Sequence, residues 1–303
     1  MLTLVSILLT DIVPIFLIAA IGYLIGRRLQ TGAQVLASLA FNVLSPCLIY
    51  TQIVTSSMTG ADAGRMAAFC VLLTGSMGIA ARIAAGGLKI EGKTRTGFLL
   101  TVMFSNSGNY ALPVIFFAFG KEALSFASVY FVTSAIVVYT AGVFIAAHDG
   151  RNPLRTLAGI LRVPALYALA AAFIVVITHT ETPALLMRPI AMLSDGAIPL
   201  MILALGMQLQ RATFPRRPAI VLTAVGLSLL LSPVIGTALA SLLGLEGVGR
   251  NAAIVVSAMP AAVVTTVLAL EFDLDANLVT SVVMLSTLLS PITIVLLIAY
   301  LQR

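Results

Sequence analysis

Ser105, Asn106, Ser107, Gly108 and Asn109 stand in a row inside an apolar stretch, with Pro113 following shortly after. Amides and hydroxyls donate hydrogen bonds without carrying charge. Asn106 and Asn109 are three residues apart, so on an intact helix they share a face. Such donors suit a carboxylate, which accepts at two oxygens. The plainer role is that these side chains satisfy backbone carbonyls freed by a broken helix. Gly108 fits either an unusual backbone or close helix packing.

A second group lies near the other end of the chain. Ser257 and Pro260 precede Thr265 and Thr266, again in an apolar stretch. Hydroxyls here either meet a ligand or bond the carbonyl four residues back. Asp195 is the one acid deep inside an apolar stretch apart from Asp11. A charged carboxylate at bilayer depth costs roughly 2.5–3.5 kcal/mol, so it asks for a reason. Three reasons are open: it couples Na⁺ or H⁺, it stays neutral, or it braces two helices. Cys47 and Cys70 read as small buried hydrophobes. His148 and His179 sit at the ends of apolar stretches. Tyr110, Tyr130 and Tyr139 either line a cavity or, as the default, face lipid or the interface. No zinc-ligand spacing, phosphate loop or nucleophile elbow is present, and no cofactor is expected beyond a coupling ion.

The elements that must position these residues are membrane helices. The 303 residues are 60% apolar and 9% charged, with mean hydropathy +1.11. That composition predicts an all-α polytopic membrane protein. The net charge of +6 does not point to nucleic acid, because the basic residues fall in short loops. Apolar runs predict ten spans, at about 3–25, 34–56, 66–85, 97–118, 123–147, 158–178, 189–209, 218–243, 249–270 and 276–300. The first is expected to be a span and not a signal peptide, since no basic residue precedes the apolar run and Arg27 and Arg28 follow it.

Basic residues give the orientation. With the N-terminus outside, the cytoplasmic side holds 12 of the 17 Lys and Arg, among them Arg27, Arg28, Lys89, Lys93, Arg95, Arg151, Arg155, Arg162, Arg211 and Arg216. The outer side holds the other 5, namely Arg65, Lys121, Arg188, Arg250 and Arg303. The bias puts both termini outside the cell membrane. The acidic turn Glu271, Asp273 and Asp275 then falls inside without a basic partner nearby in sequence.

Two spans carry breaks. Asn, Ser and Gly are weak helix formers, and Pro113 cannot donate to the carbonyl four residues back. The fourth span is therefore expected to unwind over Asn106–Pro113 and the ninth around Met259–Pro260. Unwound backbone at that depth is tolerated only where protein or a water-filled cavity surrounds it. The halves also echo each other. Pro46 falls on Pro199 and Glu122-Ala on Asp275-Ala at a shift of 153, and Arg95 falls on Arg250 at 155. Five spans per half is an odd number, so residues 1–150 and 151–303 would enter the membrane with opposite orientation. Paired broken helices in inverted halves are a transporter pattern, in which half-helix N-termini face an anion.

Four segments then resemble the auxin efflux carrier family, bacterial branch included. They are Asn106-Ser-Gly-Asn-Tyr-Ala-Leu-Pro113, Leu193-Ser-Asp-Gly-Ala-Ile-Pro-Leu-Met-Ile-Leu-Ala-Leu-Gly206, Met259-Pro260, and Leu285-Ser-Thr-Leu-Leu-Ser-Pro-Ile-Thr293. The resemblance implies a fold shared with the bile acid:sodium symporters, two inverted five-helix repeats with the fourth and ninth spans crossing. It implies a scaffold of spans one, two, six and seven, a transport domain of the other six, and a homodimer through the scaffold. It implies a small organic anion as substrate, either an auxin-like acid or a carboxylate such as malonate or malate. Only about ten residues, His148 to Leu157, join the halves, and the long cytoplasmic loop of many plant carriers is missing. From the residues themselves the substrate-site candidates are Ser105, Asn106, Ser107, Gly108, Asn109, Pro113, Pro260, Thr265 and Thr266, with Asp195 as the ion-coupling candidate, a role that its place in the implied scaffold disfavours. The rival within this fold is a cation/proton antiporter or a sodium-coupled symporter, which calls for a carboxylate beside the crossing. A membrane enzyme calls for clustered Asp, His or Ser facing one cavity.

Overall fold

The computed structural model describes residues 2–29, 33–147, 163–209 and 217–302. His148, Arg151, Arg155, Arg162, Arg211, Arg216, Arg303 and the junction at residues 150/151 lie outside them. The described residues form helices α1 (Leu4–Arg28), α2 (Val35–Val54), α3 (Gly60–Gly87), α4 (Gly92–Met103), α5 (Ser107–Ala147), α6 (Pro164–Thr178), α7 (Ala184–Gln208), α8 (Pro218–Leu242), α9 (Gly247–Ser257), α10 (Val264–Glu271) and α11 (Ala276–Leu301). Among the described residues no β-strand is formed, only one isolated antiparallel bridge, Ser105 to Ala261.

Seven of these helices are long and apolar enough to cross a membrane, against ten expected spans. The difference has three causes. Each broken span divides into short pieces: α9 and α10 come from the expected ninth span, and α4 with the start of α5 from the fourth. The 41 residues of α5 take in the expected fifth span as well. As one straight helix that length would run about 60 Å, twice the hydrocarbon core. Gly120 divides it, with φ 77° and ψ −166°, a conformation open to glycine. Finally, α6 has 15 described residues and falls short on length.

Prolines shape the long helices through wider turns. π-helical turns occupy Leu8–Ile12, Ala40–Leu44, Ser107–Ala111 and Leu227–Leu231. Each ends two residues before a proline: Pro14, Pro46, Pro113 and Pro233. A proline ring clashes with the carbonyl four residues back and offers that carbonyl no N–H. Widening the preceding turn moves the carbonyl aside without ending the helix. A fifth π-turn, Val138–Gly142, has no such proline, and Pro291 lies in α11 without a π-turn.

Helix α1 packs on α7 backbone to backbone. A Cβ on Gly206 would lie 1.8 Å from the Ala19 carbonyl oxygen, and one on Gly22 would lie 2.2 Å from that of Leu203. Small residues allow such approach in lipid, where dispersion and not hydrophobicity holds helices together. Helix α2 packs on α6 and α7. Around the bridge, α3 packs on α4, α5 and α8, α9 on α5 and α8, and α11 on α4, α8 and α10.

The turns that feed α4 and α9 match in sequence and in shape. Leu88-Lys-Ile-Glu-Gly-Lys-Thr-Arg95 stands against Leu243-Gly-Leu-Glu-Gly-Val-Gly-Arg250 at the shift of 155. Glu91 has φ −129° and ψ 168°, and Glu246 has φ −128° and ψ 166°. Lys89 and Gly244 both take positive φ, as do Gly92 and Gly247. Ile90 N–H donates to the Ala85 carbonyl and Leu245 N–H to the Ala240 carbonyl, each at 2.9 Å. The acidic turn does gain a basic partner: Lys93, at the start of α4, pairs with Asp273. Beside it the Thr94 hydroxyl donates to Asp275 at 3.0 Å. Sequence reading missed this because the partners are 180 residues apart.

Candidate functional site

The break after α4 is short. Phe104 N–H still donates to the Leu100 carbonyl at 3.1 Å, and the chain then runs extended through Phe104 and Ser105. It re-enters a helical turn at Ser107. The expected unwinding over Asn106–Pro113 is therefore corrected to Phe104–Asn106. Pro113 sits in the first α-helical turn after the π-turn, where its missing N–H costs least, and it is not the seat of the break.

The second break runs from Ala258 to Val263, between α9 and α10. The two breaks bond to each other. Asn106 N–H donates to the Pro260 carbonyl at 2.7 Å, and Ala262 N–H donates to the Phe104 carbonyl at 2.8 Å. Buried peptide groups need partners, and here each break supplies them to the other. Ala261 N–H donates to Ser286 Oγ of α11 at 3.1 Å, and Asn106 C=O accepts from Ala111 N–H at 3.1 Å. Helices α4 and α9 thus end, and α5 and α10 begin, around one bridge.

Asn106 is the polar side chain left over. It is 6% exposed, and its Nδ2 has no hydrogen-bond partner among the described residues. Leaving such a donor unpaired costs about 1–3 kcal/mol, which a ligand acceptor would recover. Asn109 is half-buried on the π-turn that follows. Ser105 forms the bridge itself and its Oγ is buried. Ser107 is buried, and its N–H folds back onto the Ser105 carbonyl at 2.8 Å. Gly108 is a packing glycine: a Cβ there would lie 2.8 Å from the Phe131 ring. Pro260 contributes its carbonyl to Asn106.

The threonines divide. Thr265 is buried and its hydroxyl donates to the Ala262 carbonyl at 2.6 Å, which closes the first turn of α10. Thr266 is half-buried one residue on. Asp195 is exposed and lies at a bend in α7, followed by Gly196. Its half of α7 packs on α2, away from the bridge. The structure therefore brings Ser105, Asn106, Pro260 and Thr265 together and leaves Asp195 apart.

The default lipid-facing or interfacial placement fails for Tyr110 and Tyr130, whereas the cavity alternative holds for Tyr130. Tyr110 is 0% exposed and Tyr130 3%, so neither faces lipid, and Tyr139 is half-buried. The Tyr110 hydroxyl accepts from Ser290 of α11 at 2.8 Å. Tyr130 lies within hydrogen-bond reach of Ser105 and Cys70. Ser286 and Ser290 were visible only as part of the Leu285–Thr293 motif; their roles depend on α11 lying against the breaks.

A cavity of about 10 Å³ lies beside the first break, lined by Ser105, Tyr130, Ser228, Ser232, Met103 and Met259 among others. That is room for about one water and not for an organic anion.

The sequence comparisons point to a membrane transporter. The family model described as "Membrane transport protein" matches residues 7–155 and 154–298. An uncharacterized transporter of Methanothermobacter thermautotrophicus is 25% identical over 287 residues, 93% of this chain and 95% of its own. An uncharacterized transporter of Methanocaldococcus jannaschii is 24% identical over 212 residues, 69% of each chain. With multi-pass apolar helices and the family's model covering nearly its whole length, the chain belongs to the membrane transport protein family, the auxin efflux carriers, a family of transporters and not of enzymes.

Proposed function

We propose that this protein is a secondary transporter for a small organic anion, a carboxylate held at the crossing of the two breaks. The observation that carries the reading is the Asn106 amide, buried and unpartnered where the breaks bond to each other. The residues that line the neighbouring cavity include no Lys or Arg. An anion there would be held by amide and backbone N–H groups at the starts of α5 and α10, where helix dipoles are positive. The matched turns before α4 and α9 support two related halves, 1–150 and 151–303, inserted with opposite orientation. The packing supports a moving body of α3–α5 and α8–α11 that shifts against α1, α2, α6 and α7 by alternating access. A homodimer through that second group is part of the same reading.

The test is a thermal-shift screen of purified protein against mono- and dicarboxylates, with and without Na⁺ and across pH. A ligand at a hundred times its Kd stabilises the folded state by about 2.7 kcal/mol. At least one carboxylate should raise the melting temperature while inorganic cations alone do not. Stabilisation by Na⁺ alone, with no response to any carboxylate, would favour a cation transporter instead.

A further inference from the structure

The 10 Å³ cavity beside the first break has its own chemistry. Two buried hydroxyls at its wall, Ser105 Oγ and Ser228 Oγ, have no hydrogen-bond partner among the described residues. Ser228 is 5% exposed and sits in the π-turn Leu227–Leu231 of α8. Ser105 is the bridge residue of the first break. Tyr130 lines the same wall, with its hydroxyl near Ser105 and near Cys70. Ser232 adds a fourth hydroxyl, and the rest of the wall is apolar, Met103 and Met259 included.

Size and chemistry together select the occupant. A buried water needs roughly 10–15 Å³ and two to four polar partners, and this cavity offers both. Hydroxyls can donate or accept, so they suit a neutral molecule that does both. The lining residues include no Asp or Glu, so nothing there offsets the cost of stripping a cation of its hydration.

We propose that Ser105 and Ser228 bind one structural water, with Tyr130 as its third partner, and that this water ties the first break to the π-turn of α8. The water gives a hydrogen-bond partner to two buried hydroxyls that lack one among the described residues. It fixes the extended backbone at Ser105, and so the neighbouring Asn106, against Ser228, 123 residues away in sequence. This site is distinct from the anion reading and stands without it.

The test is a structure of the full-length protein at a resolution that shows waters, determined in Na⁺ buffer and in choline buffer, for wild type and Ser228→Ala. The wild type should show a peak within hydrogen-bonding distance of both hydroxyls in either buffer, and Ser228→Ala should lose it. No peak in wild type, or a peak that appears only with Na⁺, overturns the proposal. A thermal cycle gives an independent reading. Ser105→Ala and Ser228→Ala should each lower the melting temperature by about 2–4 °C. The double variant should lose no more than the larger single loss, because either change releases the same water. Additive losses would mean that the hydroxyls act separately.

Discussion

At the residue scale, position and unused hydrogen-bonding capacity separate the candidates. Thr265 spends its hydroxyl on its own helix. Gly108 spends its missing side chain on Phe131. Asn106 keeps a buried donor in reserve, so it remains the side chain best suited to a ligand. Asp195 is exposed on the half of α7 that packs on α2, away from the bridge. We therefore expect Asp195→Asn to transport with the Na⁺ and pH dependence of wild type, as measured by uptake into proteoliposomes. Loss of that dependence with binding intact would restore Asp195 as the coupling residue.

At the element scale, helix contacts predict which glycines matter. Gly206→Ala would drive a methyl group into the Ala19 carbonyl and push α1 off α7. It should lower the melting temperature by several degrees or prevent folding. Gly75→Ala in α3 meets nothing within 4 Å and should be neutral or stabilising by about 0.5–1 kcal/mol, since alanine costs less conformational entropy in a helix. Thermal unfolding of the two variants side by side checks the contrast; equal effects would contradict the backbone contact. The breaks were legible in the sequence because Ser-Asn-Ser-Gly-Asn and Met-Pro are poor helix formers set in apolar runs. Their limits were not legible. Pro113 looked like the cause of the break, but the π-turn before it absorbs the missing N–H and the clash. The partners Pro260, Ala262 and Ser286 come from other spans, and periodicity within one span carries no record of them. The default placement of Tyr110 failed for the same reason, since its burial depends on Ser290 of α11 lying against it.

At the scale of the whole molecule, the basic-residue bias favours one orientation. We expect both termini outside, tested by single cysteines in a background lacking Cys47 and Cys70. Gly60, Lys121 and Gly87 are suitable positions; the first and last have open space around them. Gly120 itself is unsuitable because its positive φ strains any side chain. An impermeant thiol reagent added outside should label Gly60→Cys and Lys121→Cys and spare Gly87→Cys. The reverse pattern inverts the topology. In the proposed function the two breaks form one anion site with Asn106 at its centre. A hydrogen bond from a neutral donor to a charged carboxylate is worth about 1.5–3 kcal/mol, or roughly ten- to a hundred-fold in affinity. The measurement is calorimetric titration of wild type, Asn106→Ala and Arg95→Ala with the carboxylate that the thermal screen identifies. Asn106→Ala should bind at least tenfold more weakly while remaining folded, and Arg95→Ala, near the start of α4, should change little. Wild-type affinity in Asn106→Ala would contradict the claim and leave the crossed breaks as a hinge alone.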